Sequence, residues 1–350
     1  MKVTKFTLDA QPPFSINNID SSQADKPIYI GLPYAGYPNL TAGEVSYSMN
    51  SLLVDSNIFG DIWQGRNKVH IKELMGIIQK RGLNFSLNFA ATELYINYHD
   101  PDIAMNEFND ALWKDYNCQF PPEKMDAYKE IIKNNLENIE VNISLIKDYL
   151  IIVKNIFLNK SGIKKHVEML TEIIKYNNLP QFGFVTLLSL VLFYARKNQS
   201  EFDRIMINKI DKDMQLKTTR EAEEELLNNV ARDLCLFIAC SESFYHFSDQ
   251  ANEVCWLASG DATVGLMLQE IEYYKFDYTE TCDRTNETKF TAQIRLKKTA
   301  KSYKTLQPLI DKYWGKNLSV SSSDERSVSE KRNNLRAFAN SIMNNYKWNS

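Results

Sequence analysis

Glycine and proline are scarce in this chain of 350 residues, 12 and 10 respectively. So few breakers favour long uninterrupted helices. Cysteine is sparse and odd in number. Cys118, Cys235, Cys240, Cys255 and Cys282 form no CxxC pair, which argues against a disulfide framework or a zinc knuckle and fits a reducing compartment. The four histidines, His70, His99, His166 and His246, make no HxH or HExxH spacing, so a zinc hydrolase is not expected. There is no GxSxG elbow for a Ser-His-Asp hydrolase and no GxxxxGK[ST] loop for an ATPase. Neither sign of charge dominates: 41 basic residues stand against 44 acidic ones, a net −3. That excludes a chain that holds nucleic acid by bulk charge alone, though not a local basic face. The most apolar run, "FGFVTLLSLVLFYA" (Phe182 to Ala195), has about 14 residues, short of the ~20 needed to span a bilayer. The opening "MKVTKFTLDAQPPFS" carries no apolar h-region. A cytoplasmic chain with no membrane partner is expected.

What is present is an ordinary hydrophobic fraction of 44%, arranged mostly at helical spacing. Residues 1–50 read as irregular, with a strand-like "KPIYIG". "SLLVDSN" reads as a strand over 51–57. "NKVHIKELMGIIQKRG" repeats apolar residues on a helical period and stops at Gly82. "LNFSLNFAATELYINY" reads as a short strand running into a helix. From 104 to 212 the pattern is helical almost throughout. "TTREAEEELLNNVARDLCLFIAC" is a helix opened by a Thr cap, with the acidic run Glu221 to Glu225 as its solvated first turn. "NEVCWLASGDATVGLMLQEI" is a strand, a turn and a helix. Beyond 275 the pattern weakens, "TKFTAQIRLKK" being strand-like. "KNLSVSSSDERSVSEKRNN" reads as a polar surface segment, and "SEKRNNLRAFANSIMNNYKW" as a last amphipathic helix.

Two strands far apart in sequence each lead into a helix through an aspartate: "LLVDSN" at Asp55 and "CWLASGD" at Asp261. Parallel strands require crossovers, and the intervening helices supply them. If the strands are neighbours, both carboxylates emerge at one edge of the sheet. Two further acids lie between them, Glu93 in "FAATELYINY" and Asp233 in "NNVARDLCLFIAC", with Glu224 and Glu225 as competitors for the latter's role. Each also has a bland reading. Asp and Asn end strands and cap helices for purely local reasons, Glu93 suits a solvated helix face, and Asp233 suits an ion pair with Arg232.

In that order the four acids resemble the PIN-like nuclease family. "VDSN" is similar to its first strand end, "NFAATEL" to its helical glutamate, "ARDLCLFIAC" to its aspartate opening an apolar helix, and "VCWLASGDATV" to its last strand and polar turn. The resemblance covers about a third of the chain. It implies an α/β fold: a PIN-like parallel sheet of four or five short strands sandwiched by helices. The core is 51–275, formed by 51–103 and 213–275. A large all-helical insertion, 104–212, interrupts it, and 276–350 form a C-terminal extension. It implies Asp55, Glu93, Asp233 and Asp261 as catalytic and metal-binding residues, with Asn57 and Ser259 supporting them by hydrogen bonds. The implied cofactor is Mg²⁺ or Mn²⁺, and the implied substrate is RNA, with DNA the other option. The setting would be a toxin, defence or RNA-processing nuclease.

The chemistry is coherent. Phosphodiester hydrolysis needs an activated water and charge neutralisation, which carboxylate-held divalent ions supply. The alternative is a helical protein-interaction module on an inactive PIN-like core. The insertion's apolar faces, such as Ile143, Ile146, Leu150 and Val153, require burial against the core or against a second chain, so a homodimer or a protein partner is open. The densest basic stretch, "RLKKTAKSYK" (Arg295 to Lys304), is either a solvated face or part of a nucleic-acid path, with Tyr303 available for stacking.

Overall fold

A computed structural model describes residues 14–16, 27–33, 49–86, 90, 101–246, 253–280, 288–315, 325–346 and 348. The chain divides into two compact units. The first comprises the described residues within Met1–Pro33, Leu40–Glu140 and Arg232–Leu268, and the second those within Val141–Ala231 and Gln269–Ser350. This differs from the boundaries read in the sequence. Residues 104–140 go with the sheet, and the C-terminal residues go with the remaining helices.

The first unit is built on a five-stranded sheet. Its strands are β1 (Phe14–Ile16), β2 (Ile28–Gly31), β3 (Met49–Val54), β4 (Asn84–Ser86) and β5 (Glu253–Ser259), in the order β1-β2-β5-β3-β4. Strands β5, β3 and β4 are parallel, while β2 runs antiparallel to β5 and β1 antiparallel to β2. The all-parallel expectation is therefore corrected to a mixed sheet. Part of the segment read as irregular supplies its antiparallel edge. The strand-like "KPIYIG" is β2, while β1, three residues long, is too brief to show a period of two. The two strands that lead into Asp55 and Asp261, β3 and β5, are neighbours, with Val54 opposite Ala258.

Side chains alternate across this sheet. Ile28, Ile30, Leu52, Val54, Phe85, Trp256 and Ala258 share one buried core. Into it come Phe59 of α1 (Ser56–Trp63), Leu74 of α2 (Lys68–Arg81) and Phe108 of α3 (Pro101–Tyr116). Phe59 and Phe108 stack at 4.0 Å. The helix α2 ends as its sequence predicts, with Gly82 in the left-handed region at φ 60°. Prolines open α3 and α4 (Pro122–Leu158), where a missing N–H costs nothing. On the opposite face, Tyr29 lies beside Ser259 in the register, and α9 (Ala262–Glu270) crosses it at Gly265.

The second unit contains the C-terminal part of α4, then α5 (Ile163–Tyr176), α6 (Gly183–Lys197), α7 (Arg204–Asp213) and the start of α8 (Arg220–His246). A two-stranded antiparallel sheet, β6 (Ile271–Glu280) with β7 (Thr288–Leu296), and helices α10 (Tyr303–Trp314) and α11 (Glu325–Asn345) complete it. Every residue from Val185 to Ala195 in α6 is buried, as its all-round apolar character requires. Among the described residues no helix is long and apolar enough to cross a membrane.

The acidic first turn of α8 is not wholly solvated. Glu223 is 1% exposed and pairs at 2.6 Å with Lys154 of α4, also 1% exposed. Lys154 Nζ donates further to the Asp213 carbonyl at 2.9 Å, and Glu223 accepts from the Lys217 amide at 2.9 Å. Removing one partner leaves a buried charge uncompensated, whereas removing both does not.

Two outcomes are expected. A Cβ at Gly265 would meet the Tyr29 ring at 2.5 Å from Cγ, the inflexible end of a buried side chain. Gly265→Ala should therefore destabilise the chain by about 1–3 kcal/mol in urea melts. Lys154→Met should cost about 3–5 kcal/mol, and adding Glu223→Gln should recover most of it; equal stability of the single and double variants would contradict this reading of the pair.

Candidate functional site

The ends of β3 and β5 form the candidate site. Because the strands are parallel and in register, their C-terminal ends lie at one edge. There, each chain passes through an aspartate into a helix. Asp55, in extended conformation, is the N-cap of α1, and its Oδ1 accepts the Ile58 amide at 2.8 Å. Its Oδ2 accepts the Ser259 hydroxyl at 2.6 Å and the Gly260 amide at 2.9 Å. The exposed Asn57 stands 3.5 Å from the same oxygen.

Asp261 caps α9: its Oδ1 accepts the Thr263 amide at 2.7 Å and the Val264 amide at 3.2 Å. Its own amide donates to the Ser259 hydroxyl oxygen at 2.9 Å. A directed chain therefore runs from the Asp261 N–H through the Ser259 hydroxyl to the Asp55 carboxylate. Short polar residues recur here because only they reach back to the orphan amides of a helix start.

Burial is the dominant electrostatic fact. Asp55 is 0% exposed and Asp261 3%. Desolvation pushes the Asp55 carboxyl above its ordinary range, opposed by the bonds from Ser259, Ile58, Gly260 and Asn57. The two helix starts offset part of that cost, since their partial positive charge faces the carboxylates.

Of the four acids read in the sequence, the structure joins Asp55 and Asp261 through Ser259. Asp233 lies in α8, 9% exposed. Glu93 falls outside the described residues. Among the described residues no three His, Cys, Asp or Glu side chains form a group able to hold a metal ion. An ion such as Mg²⁺ keeps several waters and takes as few as one or two carboxylates. Three short bonds occupy Asp55, and a carboxylate offers about four acceptor directions. The Asn57 amide marks the remaining one. The two capping bonds of Asp261 both fall on Oδ1.

The Gly260 amide is a participant that sequence reading did not single out. Its only signal there was the small residue between Ser259 and Asp261.

No family model, curated protein or solved structure matches this chain.

The two aspartates should respond differently to the same substitution. Asn caps a helix as well as Asp does, and both capping bonds of Asp261 fall on Oδ1. Asp261→Asn should change stability by no more than about 0.5 kcal/mol. Asp55 accepts on both oxygens, which an amide cannot do, so Asp55→Asn should cost about 1–3 kcal/mol. The pH dependence follows from the raised carboxyl. The folded chain holds this proton to higher pH than the unfolded chain, whose value is about 3.9. Stability from this group is thus present below that value and lost as pH rises through the folded one. Urea melts against pH should show this decline in the difference between wild type and Asp55→Asn. A flat difference would remove the desolvation argument.

Proposed function

We propose that the chain is a divalent-metal-dependent nuclease whose catalytic edge is the pair Asp55 and Asp261. One observation carries it: two aspartates, 206 positions apart by subtraction (261 − 55), end adjacent parallel strands and are tied by one serine hydroxyl. In α/β sheets ligands gather beyond the carboxyl ends of the strands. Asp55 and Asp261 would hold Mg²⁺ or Mn²⁺, with Asn57 the group displaced from Asp55 or turned to a bound water. The ion would supply an activated water and neutralise phosphate charge. The protein's own part is to fix both carboxylates: the amides of Ile58, Gly260, Thr263 and Val264 and the Ser259 hydroxyl hold them without rotational freedom. Glu93 and Asp233 remain sequence-based candidates for further ligands. RNA as the substrate, with DNA second, rests on the resemblance to PIN-like nucleases, as does a toxin or defence setting; a cytoplasmic location rests on the odd number of cysteines, none in a CxxC pair.

A second reading has its own observation. Both carboxylates are buried and engaged as helix caps, which is the arrangement of an inactive core serving as a scaffold for an interaction module.

The two readings part in one assay. Purified chain is incubated with mixed single-stranded RNA and DNA, with Mn²⁺ or with chelator, beside Asp261→Asn. The nuclease reading expects Mn²⁺-dependent cleavage reduced about a hundredfold or more in the variant, whose fold the capping argument keeps intact. Absence of cleavage in wild type, or equal cleavage in the variant, favours the scaffold.

A further inference from the structure

The basic stretch read in the sequence acquires a definite setting in the second unit. Arg295 and Lys298 line a cleft of about 210 Å³, together with Tyr274, Tyr303, Gln307 and Asp311. Its apolar lining includes Leu187, Leu296 and Ile310.

Three features make this a shaped site rather than a solvated face. First, the β6–β7 register shifts between Tyr273 and Lys275, so Tyr274 is the extra residue of a bulge. A bulge re-aims a side chain. The Tyr274 ring lies 4.8 Å from the Arg295 guanidinium, and its hydroxyl donates to Gln293 at 2.7 Å.

Second, Arg295 is fixed by a 2.8 Å bond from Nε to Glu272, which leaves its Nη donors without a partner among the described residues. Third, the turn that carries Lys298 is pinned by buried Glu270. The Glu270 carbonyl accepts the Lys297 amide at 2.8 Å, and its carboxylate accepts the amides of Lys301 and Ser302 and the Ser302 hydroxyl. Lys298 is exposed and has no ion-pair partner among the described residues. Also in the lining, Gln307 donates to Asp311 at 3.0 Å, so an amide carbonyl and a carboxylate stand ready to accept from a ligand's N–H groups.

We propose that this cleft binds one nucleotide: a planar base between Tyr274 and Tyr303, its amino edge toward Gln307 and Asp311, and its phosphate at Arg295 and Lys298. Aromatic faces accept any base, and Arg and Lys are the residues that recognise phosphate. The same chemistry belongs to a free mononucleotide and to one unit of a single strand.

The test is equilibrium binding to the full chain in chelator, which keeps metal-dependent chemistry out of the measurement. The probes are 5′-mononucleotides, the matching nucleosides, inorganic phosphate and a fluorescein-labelled ten-nucleotide single-stranded RNA. Nucleotide should bind at least tenfold more tightly than nucleoside or phosphate alone. Lys298→Glu and Tyr303→Leu, both at partly or fully exposed positions, should each weaken binding about tenfold without lowering the melting temperature. Tight binding by the RNA alone assigns the cleft to a strand, and equal binding by mononucleotide assigns it to the free ligand. No binding by either at millimolar concentration, or affinities unchanged in both variants, would overturn the proposal. Asp261→Asn should bind as wild type does, so failure here is separable from failure of the nuclease reading.

Discussion

The hydrogen bond from the Ser259 hydroxyl to the Asp55 carboxylate, 2.6 Å long and closing a separation of 204 residues, is the contact on which the candidate site depends. It is possible only because β3 and β5 are parallel neighbours whose register puts Asp55 next to Ser259. It also sets the state of everything around it. The serine oxygen accepts the Asp261 amide, which fixes the start of α9, while the aspartate caps α1. Two helices and two strands therefore meet at one carboxylate that has been taken wholly out of water. An isolated ionised carboxylate there would be prohibitive. Three short donors and a helix start are what make it tolerable.

The same geometry explains why the two functional readings are close rivals. A carboxylate immobilised by amides is a good ligand, since no rotor must be frozen when an ion arrives. It is also a complete structural element without any ion. What distinguishes the two is charge. Capping needs only an acceptor oxygen, which asparagine supplies. Holding a divalent ion needs the anion. Asp261, whose capping bonds fall on one oxygen, separates these requirements cleanly. Asp55 does not.

Much of this edge was legible in the sequence. "LLVDSN" and "CWLASGD" announce a strand, a polar turn and a helix start, and the chain between them is long and helical enough for a crossover. Their adjacency was only a condition in the sequence, and the pairing of β3 with β5 meets it. Helix ends were legible where a single residue decides them, as at Gly82 and Pro122. Other features were not. Strand β2 showed as the strand-like "KPIYIG", but β1 is only three residues long and left no trace, and nothing local encodes that both pair antiparallel. The Glu223–Lys154 pair joins residues 69 apart by subtraction (223 − 154), and an acidic first turn looks the same in sequence whether one member is buried or none is. The bulge at Tyr274 depends on the pairing of β6 with β7, which no local pattern encodes. Tyr303 and the basic stretch were visible, but the cleft that gathers them with Tyr274 was not.

The most direct test of the proposed catalytic edge is binding of the ion itself. Mn²⁺ titrated into the purified chain can be followed by the loss of its free-ion paramagnetic resonance signal, with Asp261→Asn measured in parallel. The proposal requires at least one bound ion in wild type and its loss in the variant at unchanged melting temperature. A signal identical with and without protein, or bound ions retained in full by Asp261→Asn, would contradict it.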